Sequence, residues 1–336
     1  MSGDSATRRA TIGDVARAAQ VSRTTVSRVL NGRSTVDPDL VGRVESAMRD
    51  LDYRPSETAR NLSLGRTNTI AVVVPDLGNP MFQAILRGVT RAAARDGYQV
   101  LVADTQEVAD GERRVAIDAR RRCDALLLCA PRMPEGDLDD VLRTAHPVVL
   151  VNRTASDGAV PQIAMDYHHA IQVLADHLIE LGHRRILYLG GPVTSASNQL
   201  RLRGIADAER RHPDVRFDRR EVGSSLDAGA EIAEDVLRSE ATAVIAFNDL
   251  VAIGLLSRLD ELGIAIPERL SVVGVDDIPF ARYSRPHLTT VSVPQDSLGE
   301  LAWDRLREAL AGDETGPATW VRGELIQRHS TGPAGT

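Results

Sequence analysis

The sequence predicts an α/β protein in two parts: an N-terminal three-helix head containing a helix-turn-helix, joined by a hinge helix to a two-lobed body with two parallel sheets. Three observations predict it. Two short, capped helical patterns open the chain. From Thr69 onward, short apolar runs alternate with helical patterns. That alternation occurs twice over. A chain of 336 residues, 43% hydrophobic, is too long for one small core and suits two or three folded units.

In the head, TIGDVARAAQVSRTTVSRVLNG reads as two helices and a tight turn. Thr11 and Asp14 have the spacing of a capping box, and Ile12, Val15, Ala16 and Ala19 form one apolar stripe. Gln20 and Val21 leave room only for a turn. Ser22 caps a second helix whose inner face is Val26, Val29 and Leu30. Its outer face shows Arg23, Thr24, Ser27 and Asn31, which are short or forked hydrogen-bonding groups suited to base edges and phosphates. A merely solvated face more commonly carries Glu and Lys. A third helix starts at the Asp37 cap with Pro38 at its first position, and Leu40, Val41, Val44, Ala47, Met48 and Leu51 form a wide apolar stripe along it. Three short helices around one small core, the second exposing polar groups, is helix-turn-helix architecture. The candidate DNA-contacting residues are Thr11, Ser22, Arg23, Thr24, Thr25, Ser27, Arg28 and Asn31, joined by Arg60 and Leu62 of the next segment. That segment, SETARNLSLG, is a helix too short to persist without a partner surface. It serves either as a plain linker or as a wedge into a minor groove.

Charge and composition narrow the function. All 40 basic residues are Arg, and the net charge is −7. Residues 1–66 carry 11 Arg against 8 acids, and the rest 29 against 39, so a mildly basic head sits on an acidic body. Cys123 and Cys129 are expected on one face of a strand, as ordinary buried thiols. No CxxC or His/Cys cluster suggests a metal, and no cofactor is expected. His168 and His169 are expected on a helix surface. The start of the chain has no apolar signal region and no run of 18 apolar residues follows, so the expected location is cytoplasmic, with no membrane partner.

In the body, the expected strands are IAVVVP, YQVLVAD, DALLLCA, PVVLVN, RILYLG, TAVIAF, LSVVGVD, LTTVSV and a terminal WVRGELI. Helices are expected at 81–96, up to Arg122, from Tyr167 to Leu181, from Gln199, at 250–262 and at 297–310. Ligands of such sheets sit beyond the carboxyl ends of the strands. There the chain places Asp76, Asn79, Asn152, Arg153, Asn248 and Asp276, with Arg201 after the GGPVTSASNQ loop and Phe82 as an apolar face. Each alone could be a cap or turn former. Their joint placement makes a cleft able to hydrogen-bond several hydroxyls. No GxSxG, Walker loop or strand-borne GxGxxG argues for an enzyme.

From Thr11 to Pro333 the chain resembles the LacI/GalR family of bacterial transcription regulators. The residues that carry the resemblance are the head quoted above, YRPSETARNLSLGRTNTIAVVVPDLGNPMF, HLIELGHRRILYLGGP, RLRGI, AFNDLVAIG and LSVVGVDD. The resemblance implies a homodimer that reads a near-palindromic double-stranded operator. It implies a hinge helix with Leu62 as minor-groove wedge, and effector contacts from Arg201, Asn248 and Asp276, often joined by Asp76, Asn79, Phe82 and Asn152. Gln20 stands where the family often has Gly. Ser224 falls where many relatives carry an aromatic that stacks on a sugar. The missing terminal leucine heptad argues against a tail-mediated tetramer. The expected domains are a helix-turn-helix at 9–55, a hinge helix and linker at 56–66, and an effector-binding and dimerisation body at 67–333. Within the body, lobe one is expected at about 67–166 and 295–320, and lobe two at about 167–294 and 321–333. The expected function is a DNA-binding regulator, a repressor gated by a small polyhydroxy effector such as a carbohydrate. The rivals are a solute-binding protein without a transcriptional role, and a regulator answering to a non-sugar effector such as a nucleoside.

Overall fold

A computed structural model describes residues 10–30, 36–53, 66–155, 158, 160–313 and 316–335. The chain divides into two compact units, Met1–Asn68 and Thr69–Thr336.

The first unit holds helices α1 (Ile12–Ala18), α2 (Arg23–Leu30) and α3 (Pro38–Asp50). The capping box forms: the Thr11 hydroxyl accepts from the Asp14 N–H, and the Asp14 carboxylate accepts from the Thr11 N–H at 2.9 Å. These bonds, with Arg17 beside them, hold the Asp14 carboxyl down at about 2. Val15, Ala16, Ala19, Val26, Val44 and Ala47 form the core of this unit. The turn between α1 and α2 passes through Gln20 at φ 54, a left-handed conformation that costs a residue with a Cβ roughly 1 kcal/mol. Arg43 of α3 braces that turn by donating to the Ala19 carbonyl at 2.6 Å.

The second unit contains two six-stranded sheets. One is ordered β11 (Thr319–Val321), β5 (Gln162–Met165), β4 (Val148–Val151), β3 (Ala125–Cys129), β1 (Thr69–Val74) and β2 (Gln99–Asp104), and every pairing is parallel. The other is ordered β12 (Leu325–Ile326), β10 (Thr289–Ser292), β9 (Ser271–Asp276), β8 (Ala243–Ala246), β6 (Arg185–Gly190) and β7 (Arg216–Glu221), with only the β10–β12 pair antiparallel. The first sheet is flanked by α4 (Pro80–Arg95), α5 (Glu112–Arg120) and α6 (Glu135–Thr144). The second is flanked by α7 (Tyr167–Glu180), α8 (Ala196–Arg211), α9 (Leu226–Glu231), α10 (Ala233–Arg238) and α11 (Asp249–Glu261). The central strands are buried on both faces, which is why they read as continuous apolar runs and not as alternation.

Late in the chain, α12 (Gln295–Ala311) returns to the first sheet and packs on α4, β3 and β4. Its Trp303 is buried, with the indole N–H donating to Asp96 at 2.7 Å. Helices α4 and α12 cross where Gly88 meets Asp296 and Gly299, and a Cβ on Gly88 would collide with the Asp296 carbonyl oxygen. Backbone cannot swing aside as a flexible side chain can. Gly88→Ala is therefore expected to lower stability by about 2–3 kcal/mol in urea unfolding. Gly136→Ala on α6, where a Cβ meets nothing, should stay within about 1 kcal/mol of the wild type or gain slightly. Equal losses in the two variants would show that the crossing tolerates the methyl group.

Several sequence expectations need correction. The terminal WVRGELI is not one strand: it splits into β11 and β12 on different sheets, bending near Gly323, which lies hard against the Ser292 carbonyl. Cys123 and Cys129 do not share a face. β3 begins only at Ala125, so the alternation does not reach Cys123. Cys123 packs with Leu126 and Leu128, and Cys129 with Leu127 on the other side. Both are buried and free, and burial pushes both thiols up. Helix α8 starts at Ala196 and not at Gln199, because Ser195 caps it by accepting from Asn198 N–H at 3.3 Å. Strands β5 and β7 and helices α6, α9 and α10 were not anticipated. β7 (RFDRRE) is a polar edge strand with no apolar run to betray it. His168 and His169 lie half-buried on α7, with His168 against Asp207 at 2.8 Å.

Candidate functional sites

On the head, Arg23, Thr24 and Arg28 of α2 are exposed, while Thr25 and Ser27 are half-buried. The amphipathic split follows from Val26, which is wholly buried on the opposite side of the helix. Ser22 and Thr25 face each other. The Ser22 hydroxyl oxygen accepts the Thr25 N–H at 3.0 Å and lies 2.8 Å from the Thr25 hydroxyl. Thr11 spends its hydroxyl on Asp14, donating at 2.6 Å. Ser22, Thr25 and Thr11 therefore shape the helix starts, and the outward hydrogen-bonding capacity rests on Arg23, Thr24 and Arg28. The Arg23 guanidinium lies over Gly13, so the start of α1 limits where that side chain can go. Asn31, Arg60, Leu62 and the expected hinge segment lie outside the described residues.

In the body, a narrow cavity lies between the carboxyl ends of the two sheets. Six of the sequence candidates line it: Asn79, Phe82, Asn152, Arg201, Asn248 and Asp276. Two do not. The Asp76 carboxylate accepts the Gly78 N–H at 2.7 Å and so forms the turn into α4. Arg153 donates to the carbonyls of Pro131 and Met133 at 2.9 and 2.6 Å, and burial pulls its pKa below the ordinary value. Its guanidinium braces the loop after β3 instead of facing the cavity.

The lining residues differ in what they have left to offer. Asn79 caps α4, accepting the Met81 N–H at 2.9 Å. Asn248 is committed at both ends: its carbonyl oxygen accepts the Val251 N–H at 2.9 Å, and its amide donates to the Ser224 carbonyl at 2.9 Å. Asn152, held at φ 57, accepts the Met165 N–H at 3.0 Å and leaves its amide nitrogen without a partner. Arg201 is 2% exposed, and its guanidinium carbon lies 3.8 Å from the Tyr167 ring centre and 4.3 Å from that of Phe247. Two of its nitrogens, Nε and Nη1, have no hydrogen-bond partner, and it makes no ion pair among the described residues. One oxygen of buried Asp276 also lacks a partner. Burial pushes the Asp276 carboxyl up to about 7, against the weaker pull of Arg201. Unmet donors and an acceptor of this kind are expensive in a low-dielectric site unless a polar molecule satisfies them.

The lining residues outside the sequence candidates include Arg132, Glu107, Tyr167 and Phe247. Arg132 is buried and paired with Glu107 through Nε and Nη2 at 2.5 and 2.9 Å. Its Nη1 reaches the Ser195 hydroxyl of the second lobe at 3.4 Å. Glu112 steadies this loop by accepting the N–H groups of Arg132 and Met133, and burial pushes its own carboxyl up. The available signal was the APRM segment following DALLLC, an arginine just beyond a strand's carboxyl end. Glu107 belongs to the loop after β2 and comes to Arg132 only by tertiary packing.

Among the described residues, no helix is long and apolar enough to cross a membrane, and no group of three or more His, Cys, Asp or Glu residues could hold a metal. Residues 11–56 match the bacterial regulatory proteins of the lacI family, and residues 175–331 match a periplasmic binding protein-like domain. The chain is 32% identical over 329 residues to the HTH-type transcriptional repressor CytR of Escherichia coli strain K12, covering 96% of each chain. It is 35% identical over 329 residues to the transcriptional regulator GalR of Salmonella typhimurium strain LT2, again covering 96% of each. Its fold is similar to that of the lac repressor dimer bound to operator and the anti-inducer ONPF, with TM-score 0.82 and 26% identity over 97% of this chain and all of the other.

Proposed function

The chain belongs to the LacI family of bacterial regulatory proteins, and from that premise we propose that it is a cytoplasmic repressor, working as a homodimer on double-stranded operator DNA and gated by a small polyhydroxy effector. It regulates transcription by binding DNA and has no catalytic role. One observation carries the reading. A single polypeptide joins a head whose α2 presents exposed Arg23, Thr24 and Arg28 to a body whose two sheets aim buried, unsatisfied Asn152, Arg201 and Asp276 into one cavity. The first surface suits a major groove and the second suits hydroxyl groups. Coupling follows if effector binds one arrangement of the lobes more tightly than another, because only differential affinity moves such an equilibrium.

The test is a shift assay with the full-length protein on the DNA upstream of its own gene. Sequence-preferring binding that weakens steeply with salt is expected. Arg23→Ala should weaken specific binding about 10- to 100-fold while leaving binding to unrelated DNA within a few-fold. Equal losses on both DNAs would remove Arg23 from base recognition, and the absence of any sequence preference in the wild type would remove the repressor reading.

A further inference from the structure

The turn after β9 holds two consecutive non-glycine residues in the left-handed region, Asp276 at φ 116 and Asp277 at φ 50. Such conformations persist only where the surroundings over-determine them. Three elements converge on this turn. From the start of α11, Asp249 accepts the Ile278 N–H at 2.9 Å with one oxygen and the Thr290 hydroxyl at 2.6 Å with the other. From the start of α12, the Gln295 amide donates to the Asp276 carbonyl. From the last described segment of the chain, Arg328 donates through Nη2 to the Asp277 carboxylate at 2.5 Å, with both side chains only 12% exposed.

Arg328 has a rigid mounting. Its Nη1 donates to the Leu288 carbonyl at 2.8 Å, and its own N–H donates to the Thr289 hydroxyl at 2.9 Å. Two residues on, wholly buried Ser330 accepts the Thr289 N–H at 2.8 Å and donates to the Val272 carbonyl at 2.6 Å, so the strap is stitched to both β9 and β10. Arg282 is the other cation near Asp277, at 3.8 Å, and it is exposed. Neither Arg328 nor Asp249 lines the cavity.

We propose that Arg328 and Asp249 are positioning residues for Asp276: by gripping Asp277 and the Ile278 N–H they hold the turn in its strained form and so fix where the Asp276 carboxylate stands in the cavity. A residue of the C-terminal strap thereby sets the geometry of the cleft without touching what occupies it. The consequence for gating rests on the reading of Asp276 as an effector contact. The positioning itself does not, and its test uses no effector.

The experiment compares full-length wild type with Arg328→Gln and Asp277→Asn by hydrogen exchange, and follows the Asp276 carboxyl by carbon-13 NMR as pH is varied. Exchange at the Ile278 N–H is expected to quicken about tenfold or more, with β8 and the first sheet unchanged. The Asp276 titration midpoint is expected to move by about one pH unit or more, toward the ordinary carboxylate value. If Arg328→Gln does not fold, Arg328→Lys carries the same comparison, since it keeps the charge and loses the fork that serves both Asp277 and Leu288. Exchange at Ile278 within about twofold of wild type, an increase spread evenly over the second lobe, or an unmoved Asp276 midpoint would each overturn the proposal. A repressor that binds no effector through Asp276 would leave these results unchanged, so the two failures are distinguishable.

Discussion

Asp276→Asn should make the effector-free protein about 4 kcal/mol more stable than wild type at pH 8 and leave it nearly unchanged at pH 4. The Asp276 carboxyl titrates near 7 in the folded protein because it is buried, and near its ordinary value of 3.8 when the chain is unfolded. Below 3.8 both states hold the proton and the group exerts no bias. Between 3.8 and 7 the unfolded chain has released its proton while the folded chain still holds it, so stability falls as pH rises. Above 7 the whole penalty is present, and roughly three pH units at 1.36 kcal/mol each come to about 4 kcal/mol. Asparagine keeps the shape and tolerates a positive φ, and it cannot ionise. Urea unfolding at pH 4, 5, 6, 7 and 8 checks this. Parallel pH profiles for variant and wild type would show that Asp276 is not the group responsible. Asp249, also driven upward by burial and by the neighbouring Asp276, remains in both proteins and adds a pH dependence of the same sign.

Arg201→Met should abolish the response of operator binding to effector while raising the stability of the effector-free protein by about 2 kcal/mol at pH 5. The guanidinium is buried without an ion-pair partner among the described residues, and replacing an uncompensated buried charge by an apolar group of similar volume removes its desolvation penalty. Stacking on Tyr167 and Phe247 offsets part of that penalty, at about 2 kcal/mol or more for a desolvated contact, which is why the net gain is modest. At pH 8 the gain should shrink, because ionised Asp276 then loses the cation that draws its pKa down. Thermal unfolding at the two pH values, with a shift assay against a sugar panel, reads both effects. A variant that is less stable at pH 5 and still responds to effector would sink the assignment. Arg201→Ala is the poorer choice, since it would leave a cavity as well as remove a charge.

Much of this protein was legible along the chain. The Thr11–Asp14 capping box, the buried Val15, Ala16, Ala19 and Val26, and the Asp37–Pro38 start of α3 are local events, decided within one or two turns of helix. So are the central strands, whose apolar runs have nowhere to go but the middle of a covered sheet. The strand-end rule also placed Asn79, Asn152, Asn248 and Asp276 correctly at the carboxyl edges, because a parallel sheet turns all those ends to one side.

The sequence by itself determined which residues stand at the strand ends, because helix caps, turn formers and apolar periods act over a few neighbours. Only the tertiary structure decided what those residues have left to bind with. Asn248 arrives with both ends of its amide in use, Arg153 turns away to brace a loop, and Asp76 closes a turn. Meanwhile Arg132 and Glu107, 25 residues apart, meet at the rim of the cavity. A hydrogen bond across that many residues depends on where the loops after β2 and β3 of the first sheet come to rest, and no local spacing encodes it. The same holds for Arg328, whose grip on Asp277 spans 51 residues and turns a strained corner into a fixed one.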